Sequence, residues 1–179
     1  MSVHPELLIR GGTVVDATGE RRADVRVVDG VVVDVAEGLE APPQGTVLDA
    51  GGCLVAPGLV DLHTHLREPG REEAETIESG TRAAALGGFT AVVAMPNTDP
   101  PLDSAESVRN VFALAEGAMA QVAVAGALTV GRSGERLAPM AELAALGVHL
   151  FTDDGDGVQS AGLMRRALQY ATGPPWVPP

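Results

Sequence analysis

Two histidines lie two residues apart in the segment HTHLREPG. His63 and His65 follow an apolar run that predicts a β-strand, so their side chains project from the same face. Two imidazoles held this close on a strand can bind one divalent metal ion, and zinc is a common partner of imidazole nitrogen. Paired histidines also recur by chance, but the carboxylate and guanidinium groups around this pair favour a metal site over a plain strand end.

Arg67 is the next inward-facing residue if the strand geometry continues that far. Its guanidinium is a planar fork that suits bidentate recognition of a carboxylate, which favours a role in binding an acidic substrate. The alternative is a surface ion pair with Glu68, Glu72 or Glu73. An acidic protein that binds an acidic ligand needs a local positive centre, and metal ions together with Arg67 would supply it.

Further polar clusters follow two later apolar runs, in AMPNTDPP and TDDGDG. Asn97 could donate to a ligand oxygen, although asparagine is also a common turn residue. Asp153 and Asp154 are adjacent, and neighbouring side chains at a strand end point to opposite faces. One carboxylate could therefore bridge two metal ions, while the other would cap a loop or face solvent.

The segments that carry these residues alternate between predicted strands and helices. We predict strands at 58–65, 89–95, 121–129 and 148–152, and helices at 72–86, 104–118, 135–146 and 161–172. Ser104 is the predicted N-cap of the second helix. Four successive β/α units predict parallel strands whose carboxyl ends form one face, where the polar clusters would converge. Residues 57–172 are thus expected to be the first half of a (β/α)8 barrel, which needs roughly 250 residues.

The first part of the chain, residues 1–56, has short β-branched runs separated by Gly and Asp, which is typical of antiparallel strands. We predict a small β-sandwich portion with a tight hairpin turn at Asp29 and Gly30. The single cysteine, Cys53, lies in an apolar context and is predicted to be a core residue. Residues 173–179 are predicted to form an irregular proline-rich tail.

Charge and hydropathy exclude some classes of partner. The 179 residues include 12 basic residues, all of them arginine, and 24 acidic ones, which gives a net charge of −12. This excess argues against nucleic-acid binding, because phosphate contacts require basic side chains. No apolar run approaches the ~20 residues of a membrane helix, and the N-terminus lacks the pattern of a signal peptide. We therefore expect a cytoplasmic protein with no membrane partner.

Three motifs at this spacing resemble the N-terminal half of bacterial type I dihydroorotases, within the amidohydrolase superfamily. They are APGLVDLHTHLREPG, VVAMPNTDPP and LFTDDGDGVQSAGLMRRAL. The resemblance implies a β-sandwich beside a metal-dependent TIM-type barrel, with two zinc ions in a full-length site. The implied reaction is the reversible conversion of N-carbamoyl-L-aspartate to (S)-dihydroorotate in de novo pyrimidine biosynthesis.

The resemblance also implies roles for individual residues. By position, the metal ligands are His63, His65 and Asp154, and the substrate-binding residues are His65, Arg67 and Asn97. Asp154 matches the bridging aspartate better than Asp153 does, although a length difference of one residue leaves both open. Related hydantoinases, dihydropyrimidinases and allantoinases typically bridge their metals with a carboxylated lysine, and this chain has no lysine. That absence favours an aspartate bridge.

The family's later metal-binding histidines and its catalytic aspartate have no counterpart in this sequence. We therefore expect a truncated chain that is inactive alone. Two other functions stay open: a noncatalytic dihydroorotase-like scaffold of aspartate transcarbamoylase, or another cyclic-amide hydrolase of the hydantoinase or allantoinase type. Scaffolds of this kind tend to lose their metal ligands, whereas His63 and His65 are present. The open edge of a half-barrel also predicts self-association into a homo-oligomer.

Overall fold

The computed structural model describes residues 6–172, which divide into two units between Pro57 and Gly58. We call them unit 1 and unit 2. The predicted tail at 173–179 lies outside the described residues. Unit 1 contains the strands β1 Glu6–Asp16, β2 Gly19–Val28, β3 Val31–Ala36, β4 Thr46–Asp49 and β5 Leu54–Val55.

The five strands of unit 1 form one mixed sheet in the order β3-β2-β1-β4, and β5 also pairs with β1. β1 pairs antiparallel with β2, which pairs antiparallel with β3. The turn between β2 and β3 has positive φ at Asp29 (52°) and Gly30 (78°), which confirms the predicted tight hairpin. The prediction of antiparallel pairing is wrong for β4 and β5, which run parallel to β1. Alternating hydropathy does not encode strand direction, and the β2–β3 hairpin provides the crossover that parallel pairing requires.

Asp24 is a buried carboxylate within the sheet of unit 1, 6% exposed. Its Oδ1 accepts a hydrogen bond from the Gly11 amide at 2.8 Å, and its Oδ2 accepts one from the Leu39 amide at 3.0 Å. The bond from Gly11, reinforced by the bond from Leu39, holds the pKa of the Asp24 carboxyl below its usual value and outweighs the opposing effect of burial. Asp24 therefore links three separate segments of unit 1.

Cys53 is exposed, so its prediction as a core residue is wrong. It lies in a turn where its amide donates to the Ala50 carbonyl at 2.9 Å and its carbonyl accepts from the Thr13 amide at 2.9 Å. The backbone contacts hold the turn against β1, and the thiol takes no part in the apolar cluster of unit 1, which includes Val14 and Val25.

Unit 2 contains four parallel strands in the order β6-β7-β8-β9, with helices between them. Its elements are β6 Leu59–Thr64, α1 Ile77–Leu86, β7 Phe89–Ala94, α2 Ala105–Leu114, β8 Gln121–Gly126, a 3-10 turn at Val130–Arg132, α3 Met140–Ala144, β9 Leu150–Phe151 and α4 Ala161–Ala171. This curled parallel sheet confirms the four predicted β/α units. No helix within residues 6–172 is long and apolar enough to cross a membrane.

Side-chain caps determine where the first two helices begin. Helix α1 starts at Ile77, five residues later than predicted, because the Thr76 hydroxyl accepts from the Ser79 amide at 3.1 Å and the Ser79 hydroxyl accepts from the Thr76 amide at 3.0 Å. Ser104 caps α2 as predicted, since its hydroxyl accepts from the Ser107 amide at 3.2 Å. Both helices therefore have a reciprocal serine or threonine cap.

The later elements of unit 2 are shorter than predicted. Helix α3 begins after Pro139, and Leu137 forms an isolated antiparallel bridge with Thr129 in place of a first helical turn. Strand β9 contains just Leu150 and Phe151. The core still extends across these elements, with a cluster of buried apolar residues between the sheet and the helices: Leu66, Ile77, Val92, Ala94, Leu102, Val108, Val111, Val124, Leu143 and Val148.

Candidate active site

The loops that follow β6 and β7 meet at Gly70. Its φ is 106°, a conformation that L side chains rarely adopt. A Cβ at this position would lie 2.5 Å from the Asp99 carbonyl oxygen, so the close approach requires glycine. The Asp99 amide also donates to the Pro69 carbonyl at 3.1 Å. This contact brings the HTHLREPG segment beside the PNTDPP segment at the carboxyl ends of their strands.

Three possible metal ligands lie together at this face of unit 2. His63 lies in β6, His65 directly follows it, and Asp154 lies in the loop after β9. One donor atom from each lies within 4.8 Å of the others. His63 Nε2 is 3.1 Å from Asp154 Oδ1, with 59% of the histidine side chain and 14% of the aspartate side chain exposed. The structure thus brings together two imidazoles from the end of β6 and a carboxylate from the loop after β9, the two edge strands of the parallel sheet.

The chemistry of this donor set fits a divalent metal ion. Imidazole nitrogens together with a carboxylate oxygen are ligands that zinc accepts. The two rings are separated by 5.0 Å between centroids at an angle of 73°, so they do not stack face to face. His63, His65 and Asp154 could therefore hold one ion, and because a carboxylate has two oxygens, Asp154 could also be a ligand of a second ion.

Asn97 orients one of the two histidines. Its Oδ1 lies 3.0 Å from His65 Nδ1. An amide oxygen can only accept, so this contact favours the tautomer with the proton on Nδ1 and the lone pair on Nε2. A metal-binding histidine usually has a partner of this kind on its other nitrogen. The contact also places the end of β7 next to the donor set.

Arg67 and Asn97 line one cavity of about 210 Å³, together with Arg71 and Arg132. Asp99 also lines the cavity, and Arg71 and Arg132 lie beside Glu73 and Asp156, so Arg67 is the side chain of this cavity that could bind an anionic group. Because the cavity shares Asn97 with the contact to His65, an anion held there would lie near the metal donors.

The alternative role of Arg67 in a surface ion pair is not observed. Within residues 6–172, all three of the glutamates considered for it have other partners. Glu68 accepts from the Ile77 amide at 2.7 Å, and Glu72 accepts from the Gly70 amide at 2.8 Å. Glu73 lies 3.9 Å from Arg71 Nε. The Arg67 guanidinium thus has no carboxylate partner among the described residues.

The side chains of Asp153 and Asp154 point in different directions. Asp153 is 3% exposed, and its carboxylate accepts hydrogen bonds from the amides of Leu128 and Thr129, both at 2.9 Å. Asp154 has a φ of 54° and faces His63. The structure therefore brings Asp154 to the histidines, whereas the Asp153 carboxylate binds the neighbouring loop after β8.

The loop after β8 also reaches this face, although none of the predicted site residues lies in it. Thr129 donates its hydroxyl to Asp153, and Arg132 contacts Asp156 through Nη2 while its Nε donates to the Asp153 carbonyl at 3.3 Å. One signal could have found these residues. The polar stretch TVGRSGE begins at the last residue of the third predicted strand, so it stands at a strand end as the other polar clusters do.

The family model described as Dihydro-orotase-like matches residues 52–173. The chain belongs to this family. Among its relatives, the dihydroorotase of Pelobacter propionicus is 48% identical over 170 residues, which cover 93% of the chain and 40% of the relative. The dihydroorotase of Anaeromyxobacter dehalogenans is 50% identical over 168 residues, covering 92% and 39%. The resemblance to dihydroorotases is confirmed, and this dihydroorotase-like chain spans about 40% of the length of these curated relatives.

Solved structures confirm the fold class of the dihydroorotase-like chain. L-hydantoinase (dihydropyrimidinase) from Arthrobacter aurescens aligns with a TM-score of 0.74 at 23% identity, covering 94% of this chain and 38% of that one. D-hydantoinase (dihydropyrimidinase) from Thermus sp. aligns with a TM-score of 0.70 at 27% identity, covering 92% and 37%. The shared architecture is a small β portion followed by the first half of an α/β barrel.

Proposed function

We propose that this face of unit 2 forms part of the active site of a zinc-dependent dihydroorotase. The reaction is the reversible conversion of N-carbamoyl-L-aspartate to (S)-dihydroorotate in pyrimidine biosynthesis. The observation that carries the proposal is the meeting of His63, His65 and Asp154, with donor atoms within 4.8 Å of one another. The names of the relatives support the choice of substrate.

We assign the binding of zinc to His63, His65 and Asp154. In a full-length dihydroorotase site the expected number of ions is two, and the Asp154 carboxylate would be one of their ligands. Zinc supplies Lewis-acid polarisation of a carbonyl and lowers the pKa of water. The absence of lysine supports an aspartate in the bridging position, because a carboxylated lysine cannot form in this chain.

Arg67 and Asn97 would bind the substrate carboxylate that takes no part in ring closure. The lack of a carboxylate partner for Arg67 among residues 6–172 supports this role, since its positive charge is available to a ligand. A bidentate contact from Arg67 would orient the ring, and the amide group of Asn97 would donate to the same carboxylate. His65 would contribute in two ways. It would be a ligand of the metal ion, and it would contact Asn97, which binds the substrate carboxylate.

The test compares two ring ligands that differ in the carboxylate. Binding of dihydroorotate and of 5,6-dihydrouracil to the zinc-loaded chain is measured by calorimetry, alongside turnover of each. We expect Arg67→Gln to weaken dihydroorotate binding by about 10-fold to 100-fold, because a charged hydrogen-bonded pair is lost. Dihydrouracil binding should not change. Arg82→Gln, on the exposed ion pair with Glu78 in α1, is the matched control.

Other outcomes would redirect the assignment. Equal binding of the two rings, with no effect of Arg67→Gln, contradicts the carboxylate role. Preferential turnover of 5,6-dihydrouracil would favour the hydantoinase (dihydropyrimidinase) type of cyclic-amide hydrolase, whose solved structures share this fold. A chain that binds no zinc but co-purifies with aspartate transcarbamoylase would favour the scaffold function.

A further inference from the structure

Asp153 is a buried carboxylate that belongs neither to the metal donor set nor to the Arg67 cavity. It is 3% exposed, and a buried charge is tolerated where hydrogen bonds satisfy it. The donors are the amides of Leu128 and Thr129, both at 2.9 Å, and the Thr129 hydroxyl. Thr129 itself is fully buried. Three hydrogen bonds therefore hold the buried Asp153 carboxylate in a specific contact.

The contact joins two loops of the carboxyl face. All three donors lie in the loop after β8, whereas Asp153 lies in the loop after β9. Arg132 adds a second connection between the same loops, because its Nε donates to the Asp153 carbonyl at 3.3 Å and its Nη2 contacts Asp156. Residues on both sides of Asp154 are consequently held by the neighbouring loop, Asp153 through its carboxylate and carbonyl and Asp156 through its carboxylate.

Asp154 has an unusual backbone conformation between these contacts. Its φ of 54° is left-handed, which is unfavourable for a residue with a Cβ even though aspartate tolerates it better than most. The Asp154 amide donates to the Thr152 hydroxyl at 2.9 Å, and the side chain reaches His63 at 3.1 Å. The two consecutive carboxylates thus contact different groups, Asp153 the loop after β8 and Asp154 the imidazole of His63.

We propose that Asp153 is a positioning residue for the metal site. By binding the loop after β8, it holds the left-handed backbone of Asp154 and presents the Asp154 carboxylate to His63 and His65. The inference rests on the proposed metal site. Loss of the Asp153 contacts would leave all three ligands chemically intact but displace one of them, so metal affinity and ligand geometry should change together.

The experiment uses the full chain and two readouts, Zn²⁺ affinity by calorimetry and the visible absorption spectrum of bound Co²⁺. Asp153→Asn should weaken Zn²⁺ binding by about 10-fold to 100-fold and alter the Co²⁺ spectrum. Thr129→Val removes, at nearly constant volume, the hydroxyl that donates to Asp153 and accepts from the Gly134 amide, and it should weaken Zn²⁺ binding about fivefold. Thr129→Ser keeps the hydroxyl and should restore affinity to within about twofold of the original chain.

Asp103→Asn is the matched control. The Asp103 carboxylate accepts from the Gly131 amide at 2.7 Å, so it holds the same loop after β8 without contacting Asp153 or Asp154. We expect Zn²⁺ affinity within about twofold of the original chain for this variant. Circular dichroism and the urea midpoint establish that each variant is folded.

The outcomes separate the two proposals. Original affinity and an unchanged Co²⁺ spectrum in both Asp153→Asn and Thr129→Val would overturn the positioning role while leaving the metal site in place. A flat Zn²⁺ titration of the original chain would overturn the metal site and the positioning role with it. If Asp153→Asn does not fold, the Thr129→Val and Thr129→Ser pair decides: equal affinities overturn the inference, and a loss restricted to valine supports it.

Discussion

Asp24 in unit 1 and Asp153 in unit 2 use the same chemistry in different settings. Both are buried, at 6% and 3% exposure, and both accept backbone amides from residues far away in the sequence. The two aspartates differ in the residue next to them. Asp24 precedes the core residue Val25 within β2, whereas Asp153 precedes Asp154, which is left-handed and faces His63.

The comparison separates structural carboxylates from functional ones. Burial and hydrogen bonding alone identify a residue that organises loops, as in both units. In unit 2 the organised loop also carries a potential metal ligand. The chemistry of the site therefore lies in the residue next to the buried carboxylate, and in the loops whose contacts determine where that residue points.

The largest expected effect comes from removing a donor atom in unit 2. His63→Ala should weaken Zn²⁺ binding by at least about 100-fold, more than the loss of a supporting group, because one of three ligands is gone. Calorimetry measures this, with His149→Ala as control, since His149 is exposed and outside the cluster. Equal losses of Zn²⁺ affinity in the two variants would contradict the assignment of His63 as a metal ligand.

Unit 1 provides the converse test. Asp24→Asn should reduce the free energy of unfolding of unit 1 by about 1–3 kcal/mol, because an acceptor of two backbone amides becomes partly a donor. Faster hydrogen exchange at the Gly11 and Leu39 amides measures the local loss. Zn²⁺ affinity should stay the same. A substantial fall in Zn²⁺ affinity would contradict the claim that Asp153 supports the metal site and Asp24 does not.

The pH dependence of unit 1 should reflect the same carboxylate. Hydrogen bonds, that from Gly11 first, hold the pKa of Asp24 below its ordinary value of 3.8, so the unfolded state takes up the proton more readily. This contribution to stability is complete above the ordinary pKa and is lost as the pH falls through the lower folded-state pKa. Urea midpoints should therefore fall less steeply between about pH 5 and about pH 3 in Asp24→Asn than in the original chain.

A smaller effect is expected from a helix cap that supports unit 2 without belonging to its site. Ser104→Ala removes the acceptor of the Ser107 amide and should lower the free energy of unfolding of unit 2 by about 1 kcal/mol. Urea denaturation measures this change, and Ser104→Asp should retain the cap. Zn²⁺ affinity of the folded alanine variant should not change. A loss comparable to that of His63→Ala would contradict the proposed division between support and site.

Much of the fold could be predicted because its signals are local. The hairpin at Asp29 and Gly30, the cap at Ser104 and the four β/α units all follow from residue types within a few positions. The predicted start of α1 is too early because the Glu-rich stretch before Thr76 has helix-forming residues, while the cap that begins the helix lies after it. Hydropathy also could not indicate that β4 runs parallel to β1.

The sequence by itself determined the donor types, their family and their positions at the ends of predicted strands, since spacing and residue chemistry are local properties. Tertiary structure decided which adjacent aspartate faces His63, and it left Arg67 without a glutamate partner among residues 6–172. The physical reason is that both outcomes depend on contacts between separate loops. Asp153 is held by residues from the loop after β8, and no local pattern around Asp153 and Asp154 specifies that partner.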